Sequence, residues 1–129
     1  MGRTDERIFV AQRALKAFQE VLEIEHPSSI VRDAAIQRFE FTFETVWKAA
    51  KEILYEREGI DAASPKGVIR SCREVGILST DQAHIALKMV DDRNLTVHTY
   101  NEKLAEEIFS RLKPYQALLA MWLDGLGKR

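Results

Sequence analysis

The chain has 129 residues, 46% of them hydrophobic and 30% charged, the balance of one folded domain rather than a disordered chain. Its 19 basic and 20 acidic side chains nearly cancel, to a net charge of -1. That excludes a general nucleic-acid coat or a polybasic membrane binder, while leaving room for a local phosphate site. With only 6 glycines and 3 prolines, few turns and long helices are expected. Cys72 has no second cysteine to pair with, which fits a reducing compartment. The charged first residues do not resemble a signal peptide, and the longest apolar run, residues 117–123, is far short of a membrane span. A single cytoplasmic domain over residues 1–129 is the expectation.

In chain order, Ile8, Ala11, Leu15, Phe18 and Leu22 step by three or four and predict an amphipathic helix over residues 4–25. His26-Pro27-Ser28-Ser29 breaks it, and either serine can cap the next helix. That second helix is predicted over residues 31–58, stopped by Gly59. Its inward stripe is Ile36, Phe39, Phe43, Val46 with Trp47, Ala50, and Ile53 with Leu54. Phe41 falls about 200° from its aromatic neighbours, so this helix should meet protein on two sides. Ser64-Pro65 places a cap and a first-turn proline at the start of a short helix that Gly76 ends. Ser79 and Gln82 have capping-box spacing and open a fourth helix carrying Ala83, Leu87 and Val90, with Ile85 and Met89 beside them.

The last helix begins near Asn101 and keeps a stripe of Leu104, Ile108, Leu112, Tyr115, Leu119, Trp122 and Leu126. Pro114 should kink it near residues 110–113. No segment has a convincing strand pattern. The expected fold is all-α, an antiparallel up-and-down bundle of four long helices plus one short one.

Residues 91–101 stand apart. Asp91 and Asp92 oppose the helix dipole, and Asn94, Thr96, Val97 and Thr99 are mediocre helix formers. Yet Arg93, Asn94, His98 and Tyr100 fall within eight residues, as a site would require. The plainer alternative is a surface histidine, with Arg93 paired to Asp91, Asp92 or another carboxylate. On a continuous helix Arg93 and His98 would lie about 140° apart. To act together, they need either an unwound helix or two protomers.

His26 and His84 lack partners at ligand spacing and no phosphate-cradling glycine motif occurs, so neither a metal nor a bound cofactor is expected. Glu40, Glu44 and Lys48 recur every four residues, by default a solvated face and alternatively the wall of a polar pocket. Phe39, Phe43 and Trp47 read as core, and Phe41 as interface.

Two stretches, Gln37-Arg-Phe-Glu-Phe-Thr-Phe-Glu-Thr-Val-Trp-Lys48 and Asp92-Arg-Asn-Leu-Thr-Val-His-Thr-Tyr-Asn101, resemble the nucleotidyltransferase substrate-binding family of the HEPN superfamily. The likeness extends over nearly the whole chain, including the helix start at Ser64-Pro65-Lys66. It implies a homodimeric helical bundle encoded beside a minimal nucleotidyltransferase, in a toxin–antitoxin type of module. Many HEPN members are metal-independent ribonucleases, which would make Arg93 and His98 the catalytic pair of an Arg-x4-His-x-Tyr motif. Asn94 and Tyr100 would then contact an RNA or nucleotide substrate, and Tyr100 would be where the partner adds AMP. The alternative implied by the same family is a non-catalytic substrate- or nucleotide-binding subunit of a two-component nucleotidyltransferase.

Overall fold

The computed structural model describes residues 2–129, and every regular element among them is helical. Helix α1 spans Arg3–Leu22, α2 Ser29–Glu58, α3 Pro65–Glu74, α4 Thr80–Leu95, α5 Glu102–Ser110 and α6 Leu112–Gly127. A single 3-10 turn, Thr96–His98, follows α4. The all-α expectation holds. The expected last long helix is two helices, broken at Arg111.

Local chemistry sets these boundaries. Ser28 Oγ accepts from the Val31 N–H and Ser64 Oγ from the Gly67 N–H. At α4 the Ser79 and Gln82 side chains each bond the other's backbone N–H, a complete capping box. Gly59 ends α2 at φ 68°, a left-handed conformation cheap only for glycine. Gly76 at φ 84° ends α3, with Ile77 N–H returning to the Cys72 carbonyl at 2.8 Å and Gly76 N–H to Arg73, which is the Schellman arrangement. Pro114 is the third residue of α6, where its missing N–H has no intrahelical acceptor to lose. Continuing α5 would have set the proline ring against the Ser110 carbonyl. Helix α1 stops at Leu22 rather than residue 25, and α2 begins at Ser29.

Helix α2 is the central element, packed against α1, α3, α5 and α6. Phe39 lies between Phe18 (ring centroids 6.1 Å apart) and Tyr115 (5.6 Å, stacked). Ile108, Leu112, Leu119, Trp122 and Leu126 of the last stripe are fully buried, whereas Trp47 and Leu104 are only partly so. Trp47 is therefore an edge residue, not the core residue the stripe suggested.

Cys72 is inside this core, and burial pushes its thiol up to about 11, against smaller opposing effects of Trp122 and Arg129. An unfolded thiol titrates near ~8.5. Folding therefore favours the protonated form, so its contribution to stability is complete below about pH 8.5 and falls as pH rises towards 11. Iodoacetamide at pH 8 is expected to label Cys72 in urea but not in the folded chain, as read by intact mass. Rapid labelling without denaturant would contradict this packing.

Candidate functional site

The end of α4 is held from two sides. Asp92, which lies near the helix C-terminus and is only 7% exposed, accepts from Arg111 Nε at 2.7 Å, from Arg111 Nη2 at 3.0 Å and from the Tyr115 hydroxyl at 2.6 Å. Arg111 sits at the α5–α6 break and Tyr115 in the first turn of α6, so the break is tied to the base of the Arg93 segment. Burial chiefly, and the bond to Asp92, raise the Tyr115 hydroxyl well above its ordinary range. The same carboxylate raises the Arg111 guanidinium. A second clamp joins Arg32 of α2 to Glu102 of α5, with contacts of 2.9 and 3.3 Å, and holds the Glu102 carboxyl below the usual range. The stretch 93–101 is strung between these two anchors.

Within that stretch the helix tightens. Thr96 Oγ1 donates to the Arg93 carbonyl at 2.7 Å, and Thr99 Oγ1 to the Thr96 carbonyl at 2.9 Å. Such local hydroxyl bonds compete with continued α-helix. Asn101 then accepts from the Leu104 N–H and starts α5. The mediocre helix formers of this stretch thus build a compact turn.

Arg93 points inward to α2, with Nε 3.6 Å from Glu44 Oε1 and Nη1 3.5 Å from Thr96 Oγ1. Its Nε is buried and makes no hydrogen bond among the described residues. Glu44 also accepts from Trp47 Nε1 at 3.3 Å and lies 3.7 Å from Lys48 Nζ. His98 and Tyr100 instead face outward. Their Nδ1 and hydroxyl are 3.3 Å apart, the rings meet edge to face, and Tyr100 is 83% exposed. Asn94, Leu95 and Val97 are exposed on the same segment. The fold therefore joins His98 to Tyr100, and Arg93 to Glu44, but no hydrogen bond joins Arg93 to His98 among the described residues.

Glu44 and Lys48 line a cleft of about 420 Å³ between α1 and α2, with Arg3, Arg7, Val10 and Phe41. Glu44 and Lys48 thus edge a cleft whose surface is mostly apolar, with Lys48 exposed as on a solvated face, while Glu40 is not part of the lining. Phe41 (58% exposed), Phe9 and Val10 form an uncovered apolar patch beside it. Glu44 is thus shared between this cleft and Arg93. The Asp92–Arg111–Tyr115 triad has no signature in the sequence, where Asp92 registers as an unfavourable charge or a partner for Arg93 rather than for Arg111.

Residues 6–128 match the family model described as nucleotidyltransferase substrate binding protein like. Over 109 residues the chain is 28% identical to the Haemophilus influenzae protein described as "Probable ribonuclease HepT", covering 78% of this chain and 73% of that one. A Thermus thermophilus protein of known crystal structure is 56% identical, with a TM-score of 0.87 over 90% of this chain and 98% of its own. The Shewanella oneidensis HEPN toxin, solved tri-AMPylated in complex with MNT antitoxin, superposes with a TM-score of 0.80 over 100% of both chains. At 16% identity that last likeness is one of fold. Among the described residues no helix is long and apolar enough to cross a membrane. With the match running through all six helices, the chain belongs to the nucleotidyltransferase substrate-binding-protein-like family.

Proposed function

We propose that this chain is a metal-independent endoribonuclease, the HEPN member of a cytoplasmic two-gene module with a minimal nucleotidyltransferase, acting as a homodimer through Arg93 and His98. The observation that carries the proposal is the clamped turn after α4, which presents an exposed His98–Tyr100 pair five residues from a partly buried arginine. The names of the Haemophilus relative and the Shewanella complex support it.

Cleavage through the 2′-hydroxyl needs a base, an acid and charge stabilisation at phosphorus. An imidazole removes the 2′-hydroxyl proton as that oxygen attacks phosphorus. The bond to the 5′ oxygen breaks, and a protonated imidazole supplies the proton to the leaving oxygen. The products are a 2′,3′-cyclic phosphate and a 5′-hydroxyl. One His98 cannot be base and acid together, whereas two copies bring both forms. Arg93 supplies a planar fork to the phosphate oxygens. Two-copy assembly is supported by the apolar Phe9, Val10 and Phe41 patch, which Glu44 connects to Arg93.

Tyr100 suits silencing by the partner. Its hydroxyl attacks the α-phosphorus of ATP, pyrophosphate leaves, and the phenol proton passes to solvent. The added AMP brings negative charge and bulk and removes the phenolic proton from the contact with His98 Nδ1. Intact mass and fragmentation after co-expression with the nucleotidyltransferase should place AMP on Tyr100, and modification confined to other residues would overturn the assignment.

The second reading, a non-catalytic binding subunit, is favoured by one contact. Arg93 is already engaged by Glu44, as in a phosphate site that opens on ligand arrival. RNA incubated with the pure protein in EDTA separates the two. Fragments ending in 2′,3′-cyclic phosphate are expected. Intact RNA, with nucleotide binding that appears only on adding the nucleotidyltransferase, would instead establish the binding subunit.

A further inference from the structure

A cleft of about 440 Å³ opens between α3 and α4, on a part of the surface that the site above does not use. Arg70 and Arg73 line it from α3, and Thr80, Asp81, His84 and Leu87 from α4. The arginines are three residues apart, neighbours on one helix face, and both are exposed. Among the described residues neither lies within 4 Å of a carboxylate, unlike Lys66 on the same helix, which pairs with Asp91 at 2.8 Å.

The exposed side of α4 continues this surface. Lys88 and Leu95 follow His84 by four and eleven residues, close to whole turns, so all three share one face. The 3-10 turn adds about one further revolution and carries His98 to that side. From His84 to His98 the path is about 22 Å along the axis. The acid on this stripe beyond the cleft, Asp91, is neutralised by Lys66.

We propose that the Arg70–Arg73–His84 cleft is a second phosphate-binding site, holding the backbone of single-stranded RNA whose scissile phosphate lies at His98. This rests on the ribonuclease reading for the identity of the ligand, but not for the binding itself. Two guanidinium forks and the Thr80 hydroxyl present donors to phosphate oxygens, and Leu87 gives a base or ribose an apolar surface. Asp81, the acid in the lining, accepts from a ribose hydroxyl or a base N–H. A chain of near-zero net charge thereby gains a directional track without a basic excess.

The test is fluorescence anisotropy of a labelled single-stranded RNA, cytidine-rich and about 12 nucleotides long, in EDTA across a salt series. Arg70→Gln/Arg73→Gln is expected to weaken binding about tenfold. The slope of log Kd against log salt should fall by about 1.4, for two lost phosphate contacts. Both side chains are exposed, so the melting temperature should not move, and His84→Gln provides a second variant with a smaller effect in the same direction. Binding unchanged by the double substitution, or arginine-dependent capture of poly-glutamate with no affinity for RNA, would overturn the proposal. Arginine-dependent RNA binding without cleavage would sink the ribonuclease reading alone. Cleavage with arginine-independent binding would sink the cleft alone.

Discussion

Asp92→Ala is expected to destabilise the fold by about 3 kcal/mol, read as a lower urea midpoint at unchanged slope. The carboxylate is buried and carries three hydrogen bonds, two from Arg111 and one from Tyr115. Its removal leaves a buried phenol without its acceptor and a guanidinium without its counter-charge. Breaking a buried pair from one side costs about 3–5 kcal/mol, and the lower end applies because the Arg111 side chain is 43% exposed and can turn to water. Tyr115→Phe loses one hydrogen bond and keeps the stack on Phe39, so about 1 kcal/mol is expected. If Asp92→Ala stays within about 0.5 kcal/mol of the parent, the triad does not anchor the end of α4.

His98→Ala has the opposite profile. Cleavage should fall by about 10²–10⁴-fold, the usual weight of a positioned acid or base. The melting temperature should stay put, since His98 is exposed and its one side-chain hydrogen bond is with exposed Tyr100. Arg93→Lys should also cut cleavage, by about 10²-fold, because an ammonium keeps the charge but loses the fork. Cleavage that survives His98→Ala would show that the acid–base chemistry lies elsewhere.

The elements were legible because their signals are local. The Ser79/Gln82 box, the glycines after α2 and α3, and the 3.6-residue stripe from Leu104 to Leu126 each act within a few residues, and Pro114 marks the place near Arg111, as a kink where the chain has a full break. The site was legible as a cluster of residue types against poor helix propensity, which the 3-10 turn explains. Its wiring was not. Arg93 meets Glu44 across 49 residues, and Asp92 meets Arg111 and Tyr115 across 19 and 23. No short-range period encodes such contacts. Glu44 looked like a surface charge because its i+4 partner Lys48 explains it equally well on an isolated helix. Arg70 and Arg73 carried no signal at all until α4 was folded against α3.

The two anchors give a physical reason why a short, polar, weakly helical segment can hold a site. Asp92 fixes its entrance to the α5–α6 break, and the Arg32–Glu102 pair fixes its exit to α2. Between them, His98 and Tyr100 remain exposed while Arg93 is sheltered by Glu44. The chain then displays its imidazole but keeps its guanidinium partly covered, which suits a cleft completed by a second copy.

That completion is open to direct measurement. Parent and His98→Ala chains, carrying different tags, can be co-expressed and isolated as a heterodimer of twice 14.8 kDa. The parent homodimer should cleave RNA in EDTA and the His98→Ala homodimer should not. The heterodimer, left with one His98 where the cleavage step uses two, is predicted to stay near the inactive homodimer. A heterodimer with half of the parent's activity, or a parent that is active while sedimenting as a monomer, would contradict a ribonuclease site built from two copies.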